Sequence, residues 1–283
     1  MPSPTKFSVC LIRPEGYLHS LGLLEVCETL AATLRDLDHA CTITTNRIRP
    51  DHVNIVVGWH LLHEWPSGAP MQSIIVYQLE QLSGREGWWS RDRELLLRSV
   101  PVVWDYSLDN ILFLERRGLR AQHVPLGGNP SMDRIAHLPE DERDVDVLFY
   151  GSLNERRAWA IKAIRDRGVG LRTMFGVYGT DRDGWISRSK IVLNVHYYDT
   201  QIPEQVRLSY LLNNGCFVIS EGPSAYPGGI VTGDLDQLPE LCERFLANPA
   251  ARREIAYQGR QKLPSMVDSL LPALAQLEAP CPA

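Results

Sequence analysis

The stretch Pro203-Glu-Gln-Val-Arg-Leu-Ser-Tyr-Leu-Leu-Asn-Asn-Gly215-Cys-Phe-Val-Ile-Ser-Glu221 reads as a helix that runs directly into a buried strand. Pro203 suits a first helical position, where its missing N–H has no intrahelical partner to lose. Glu204 then falls in the first turn, where the helix dipole favours a negative charge. Val206, Leu208, Leu211 and Leu212 supply apolar faces, and Asn213-Asn214-Gly215 is a stop signal. Cys216-Phe-Val-Ile219 is a continuous apolar run, as expected of a parallel strand covered on both faces. Glu204 and Arg207 are three residues apart and share a helix face. Taken alone, the pair fits an exposed surface ion pair as well as a ligand contact.

The same grammar extends in both directions. Upstream, Phe7–Ile12, Cys41–Thr45, Val53–Val57, Ser73–Tyr77, Val100–Trp104 and Ala121–Val124 read as strands, with helices predicted over Leu18–Leu37, Arg91–Arg98 and Ser107–Arg117. Such alternation means a parallel doubly wound sheet. The pattern lapses in the turn-rich, acidic segment between Gly127 and Asp146, which predicts a domain boundary. It resumes with strands at Asp146–Tyr150, Gly170–Phe175 and Ile191–Val195, and helices at Glu155–Arg167, Gly184–Ser189, Leu235–Ala247 and Pro249–Lys262. The expected plan is an N-terminal Rossmann-like domain over 1–128, a linker over 129–145, a second such domain over 146–265, and a tail over 266–283 that packs back on the first domain. Two α/β domains of this kind face a cleft, a favoured place for ligands.

Composition narrows the function. The 283 residues carry a net charge of −5, which argues against non-specific nucleic-acid binding. No apolar run has the length of a membrane span, and Met-Pro-Ser-Pro-Thr-Lys-Phe lacks the apolar core of a signal peptide. The six cysteines show no Cys-x-x-Cys spacing and mostly sit in apolar segments, which predicts reduced thiols in a cytoplasmic protein and no metal centre. Gly-x-Gly-x-x-Gly, a P-loop and Gly-x-Ser-x-Gly are all absent. No paired-carboxylate motif stands out for glycoside hydrolysis.

In open α/β sheets, ligands bind outside the carboxyl ends of the strands. In the second half these ends are Gly151-Ser-Leu-Asn154 with Arg156 and Arg157, then Asn194, His196, Tyr197 and Tyr198, then Glu221. The Gly151-Ser152 turn opens a helix and is expected to offer free N–H groups and a positive dipole end to an anion. In the first half the strand ends carry Tyr17 and His19, His60, Glu80, Trp104 and Tyr106, a polar and aromatic mixture suited to a sugar or a lipid head group.

The second half resembles the donor domain of GT-B glycosyltransferases, over roughly residues 146–262. The likeness is to a small bacterial group, in the style of families 1 and 4, with Arg-x-x-Glu-Ala-x-Ala-x-Gly before a strand ending in an acid. Arg207, Gly215 and Glu221 fall in that register. One departure stands out: many retaining members have a ribose-binding Glu where this chain has Tyr210, which leaves Glu204 as the acid for ribose or sugar.

The resemblance implies a glycosyltransferase whose donor substrate is a nucleotide-sugar and whose acceptor is a glycan, a lipid-linked molecule or a protein. It implies no metal and no separate cofactor. Donor contacts would come from Gly151, Ser152, Asn154, Arg157, Asn194, His196, Tyr197, Glu204, Arg207, Tyr210 and Glu221, and acceptor contacts from Tyr17, His60, Trp104 and Tyr106. His19 is the first candidate for a catalytic base and Glu80 the second. Asp181-Arg-Asp183 has metal-motif spacing but reads as a surface turn. The same fold also serves nucleotide-sugar epimerases, and a catalytically silent sugar-nucleotide binding protein is a third reading.

Overall fold

The structure is a computed structural model that describes residues 5–82, 88–199, 202–222 and 228–278. Cys281 and the end of the tail lie outside the described residues. The chain divides into two compact units, residues 1–131 with 264–283, and residues 132–263.

The first unit contains β1 (Lys6–Leu11), α1 (Leu24–Asp36), β2 (Ala40–Thr45), β3 (Val53–Val57), β4 (Ile74–Gln78), α2 (Arg91–Arg98), β5 (Val102–Asp105), α3 (Leu108–Glu115) and β6 (Gln122–His123). Its sheet has the order β2-β1-β3-β4-β5-β6, with every described pairing parallel. β4 is buried along its whole length, as a central parallel strand must be. The helix predicted from Leu18 divides in two: Leu18–Leu23 is a 3-10 turn and α1 starts at Leu24.

The second unit contains β7 (Val145–Tyr150), α4 (Glu155–Asp166), β8 (Leu171–Met174), α5 (Gly179–Ser187), β9 (Ser189–Asn194), α6 (Gln205–Asn213), β10 (Val218–Glu221), β11 (Val231–Gly233), α7 (Leu238–Leu246) and α8 (Pro249–Lys262). Its sheet has the order β11-β10-β9-β7-β8, again parallel throughout. The strand period of two sorts side chains onto two faces. Val147, Phe149, Ile191, Leu193 and Ile219 pack with Ile161 and Ile164 of α4 and Phe245 of α7. Leu148, Val192 and Val218 pack with Ile186 of α5 and Leu208, Leu211 and Leu212 of α6.

A last helix, α9 (Met266–Glu278), belongs to the first unit and packs on α1. The chain reaches it by a parallel bridge between Gly128 and Ser265, where Gly128 N–H donates to Pro264 O at 2.8 Å. Gly127 is required there, because a Cβ would lie 2.6 Å from Met266 N and 2.7 Å from Pro264 O. Among the described residues, no helix is long and apolar enough to cross a membrane.

Two local expectations are corrected. Pro203 is not the first helical residue: Gln205 N–H turns back to Pro203 O at 2.8 Å, and Glu204 stands as the N-cap with non-helical φ −75° and ψ 66°. Asp181 and Asp183 lie in α5 rather than in a surface turn, with Asp183 paired to Arg182 at 2.8 Å. The stop signal acts as read. Gly215, at φ +64°, lets Cys216 N–H return to Leu211 O and Gly215 N–H to Leu212 O, each at 3.0 Å, which closes α6 in a Schellman turn.

Candidate functional site

In the second unit the carboxyl ends of β7, β9 and β10 gather Arg156, Arg157, Asn194, His196, Glu204, Arg207 and Glu221. α4 begins at an Asn154 cap whose Oδ1 accepts from Arg157 N–H at 3.0 Å, while its Nδ2 donates to Tyr197 O at 2.8 Å. One side chain thus starts the helix and ties it to the loop after β9.

Arg157 lies in the middle of the group, with its side chain 5% exposed. Its Nε donates to Val195 O (2.9 Å), Nη1 to Ser152 O (2.9 Å) and Nη2 to Glu204 Oε1 (3.0 Å). Its guanidinium also faces the Phe149 and Tyr197 rings, 5.4 and 5.2 Å from their centroids. Burial pulls its pKa down to about 10, against the pull of Glu204. Every guanidinium nitrogen has a protein acceptor, so Arg157 is a strut between α4, β9 and α6.

Arg207 differs. Nη1 donates to Asn194 Oδ1 at 2.9 Å and pairs with Glu204 Oε2 at 3.2 Å, and the guanidinium stands over Tyr150 at 4.7 Å. The Glu204–Arg207 pair is therefore not an exposed surface pair; the two side chains are 17% and 15% exposed. Burial alone would raise Glu204, but Arg207 and Arg157 outweigh it and hold the carboxyl low, hence ionised. The Glu204 side chain makes no capping bond, because the two arginines take both of its oxygens. Nη2 of Arg207 has no acceptor among the described residues and points at the Gly151 turn.

Gly151 makes room for that guanidinium. At φ +134°, a Cβ here would lie 3.0 Å from Arg207 Nη2 and 3.4 Å from Arg157 Nη1. The expectation of a free Gly151 amide is corrected: it donates to Met174 O at 2.9 Å and fastens the turn to β8.

Glu221, with its side chain 1% exposed, pairs with Arg156 and accepts from His196 N–H at 3.1 Å. Asn194 Nδ2 reaches Ser220 Oγ at 3.0 Å. Tyr210 sits away from this group, with its hydroxyl on Asp183 of α5 at 2.7 Å and its ring under Arg182.

In the first unit the strand ends hold mostly neutral hydrogen bonds. Glu80 is clamped through its main chain: its N–H donates to Gln78 Oε1 (3.1 Å) and its carbonyl accepts from Asn110 Nδ2 (2.8 Å). Its carboxylate lies 3.5 Å from Nε2 of His60, a buried ring that burial, and then Arg93, push down to about 3. Tyr17 is half-buried and raised by burial and then by the charge of Glu80; its ring meets the exposed His19 edge-on at 5.2 Å. Trp104 and Tyr106 are core residues, with the Trp104 indole N–H on Gln122 at 3.1 Å, so neither presents a surface to an acceptor.

Sequence reasoning missed Tyr150, Gln78, Asn110 and Asp105. Tyr150 could have been found, as the aromatic last residue of a strand just before a glycine turn. The buried amides and acid carry no local signal, since their partners come from other elements.

In sequence, no family model matches the chain and no curated protein matches it. In structure it is similar to AviGT4, a glycosyltransferase involved in avilamycin A biosynthesis, with a TM-score of 0.56 and 14% identity over 96% of this chain and 97% of that one. It is similar to TarM, with a TM-score of 0.57 and 11% identity over 93% of this chain, which spans only 58% of TarM. An α1,3-fucosyltransferase aligns over all of this chain and 92% of its own, with a TM-score of 0.54 and 10% identity. At such identities the likeness is one of fold: two parallel-sheet α/β domains of the GT-B class.

Proposed function

We propose that this protein is a glycosyltransferase that takes its sugar from a nucleotide-sugar and passes it to a glycan, a lipid-linked molecule or a protein. The observation that carries the reading is Arg207, held by Asn194 and Glu204 with Nη2 turned to a glycine whose missing Cβ leaves the space open. A diphosphate matches that guanidinium edge in charge. It would meet Arg207 Nη2 and the amides that open α4, where the helix dipole adds to the attraction. Such donors, fixed before reaction, stabilise the charge that develops on a leaving nucleoside diphosphate. In this reading no metal is invoked. Arg157 and Asn154 position the turn, Glu204 orients both arginines, and Glu221 with Asn194 fixes the loop that bears His196 and Tyr197.

Between the two candidate bases, the clamped main chain of Glu80 favours it over the exposed His19. Tyr17 and His60 beside it are the acceptor-side residues that stay in the proposal. The five described cysteines are all free and buried, in keeping with a reducing, cytoplasmic setting.

The test is a thermal-shift panel of UDP-, GDP-, dTDP- and CMP-sugars, since a ligand that binds only the folded state raises its melting temperature. One donor should stabilise the protein, and that donor names the nucleotide. A flat panel overturns the reading. Turnover is then followed with and without candidate acceptors: consumption of the donor that yields an altered sugar and no transfer would make the protein an epimerase instead.

A further inference from the structure

His196 occupies an unusual position among these charges. The chain around it is fixed residue by residue: Val195 O accepts from Arg157, His196 N–H donates to Glu221, and Tyr197 O accepts from Asn154. The residue is 3% exposed, and its ring Nδ1 has no hydrogen-bond partner among the described residues. An imidazole so enclosed normally has its nitrogens satisfied.

The groups that face it come from three elements. Arg156 and Arg157 belong to α4, Glu204 and Arg207 to the start of α6, and Glu221 to β10. Three cations stand against the two carboxylates shielded from water, Glu204 and Glu221; a third carboxylate, Asp199, lies 3.8 Å from Arg156 but is 91% exposed, where solvent screens its charge. The local charge is therefore net positive. Burial first, and then the three arginines, keep His196 below the ordinary histidine range against the pull of Glu204, so the ring is neutral in the empty site.

A bound diphosphate reverses the sign of that field. We infer, on the diphosphate reading above, that His196 takes up one proton from solvent when a nucleoside diphosphate group binds beside Arg207. The uptake adds a fourth cation to the site when the anion arrives. A free nucleoside diphosphate carries more negative charge than the same group esterified to a sugar. Protonated His196 therefore favours the departing product state over the bound donor, which is the differential stabilisation that speeds a reaction. His196 acts here through the field at the diphosphate, as a positioning and charge-balancing residue.

The direction of the pH effect follows. A histidine whose pKa rises on binding makes binding tighter as pH falls through the window between its free and bound values, by up to about tenfold per pH unit. The experiment is calorimetric titration of the full chain with UDP-glucose, GDP-mannose and dTDP-glucose, whose diphosphates do not themselves titrate near neutral pH. It is run in two buffers of different ionisation heat. The expected result is an uptake of up to about one proton per donor bound. In His196→Gln, checked for fold by its melting temperature, the uptake should vanish and affinity should become flat with pH.

Binding by the wild type without proton uptake overturns the inference and leaves the transferase reading standing. Uptake that persists in a folded His196→Gln variant does the same. Failure of all three donors to bind removes the diphosphate reading, and this inference with it. His196→Asn is the second variant, and imidazole nitrogen shifts in histidine-labelled wild-type protein locate the proton where neither variant folds.

Discussion

At the carboxyl ends of β3, β4 and β5 the first unit buries amides and one isolated acid: Gln78, Asn110 and Asp105 bond to main chain and to one another. At the corresponding ends of β7, β9 and β10 the second unit gathers three arginines and two glutamates. The sheets follow one plan, so the contrast lies in the chemistry set on it. Neutral hydrogen bonds can satisfy one another, and here they leave one buried atom of the three residues, Asp105 Oδ2, without a partner among the described residues. A cluster whose shielded members carry one cation in excess, with one guanidinium edge unmet, is the arrangement that the proposed anion would complete. Topology places a site at the strand ends; the residues there decide whether it serves packing or a ligand.

Substitutions can break or sharpen that contrast. The largest effect is expected from Arg157→Ala. It strips one partner from Glu204 and bares two carbonyls, and removing one member of a buried ion pair costs about 3–5 kcal/mol. Chemical denaturation should show that loss; a value below 1 kcal/mol would deny Arg157 its role as a strut. Arg207→Ala should weaken nucleotide-sugar affinity by about 2–4 kcal/mol, in the range for truncating a charged partner at a binding surface. It should cost less stability than Arg157→Ala, because Glu204 keeps Arg157. Unchanged affinity in titration calorimetry would move the site elsewhere.

Gly151→Ala combines an unfavourable φ with a Cβ 3.0 Å from Arg207 Nη2. About 1–3 kcal/mol of strain is expected, shared between a lower melting temperature and weaker donor binding. In the first unit, Asp105→Asn should have the smallest effect near pH 5. Burial raises the Asp105 carboxyl to about 8, whereas an unfolded aspartate titrates near about 3.9. The folded state thus keeps a proton that the unfolded state loses, so wild-type stability falls as pH rises between those values. Asn cannot ionise, and its relative stability should climb across the same interval. Parallel pH profiles for the two proteins would remove Asp105 as the source.

The strands were legible because a parallel strand covered on both faces is a mostly apolar run: Val53–Val57, interrupted only by Asn54, matches β3 end to end. The elements that escaped have local reasons. β11 is three residues long, and the helix expected over Gly184–Ser189 starts earlier, at Gly179, and ends at Ser187, because Gly-Thr-Asp-Arg-Asp-Gly has the composition of a turn. α9 carries Pro272 within it.

The site was legible as a set of strand ends but not as a division of labour. Arg157 and Arg207 look alike in sequence, and only the tertiary positions of Val195 O and Ser152 O make one a strut and leave the other an open edge. Trp104 reads as a strand-end aromatic, yet it is fully buried. A strand's last side chain faces the core or the ligand according to a register that composition does not reveal.

The return of α9 to the first unit has a consequence for synthesis. The second unit has all its residues once Leu263 is made, while the first still lacks the helix that covers α1. Met266, Leu270, Ala273 and Leu274, all buried on α9, are translated after the whole of the second unit. On the ribosome the later-encoded unit can therefore mature before the earlier one. A premature stop just after residue 263 would injure the half of the protein whose message had been read first.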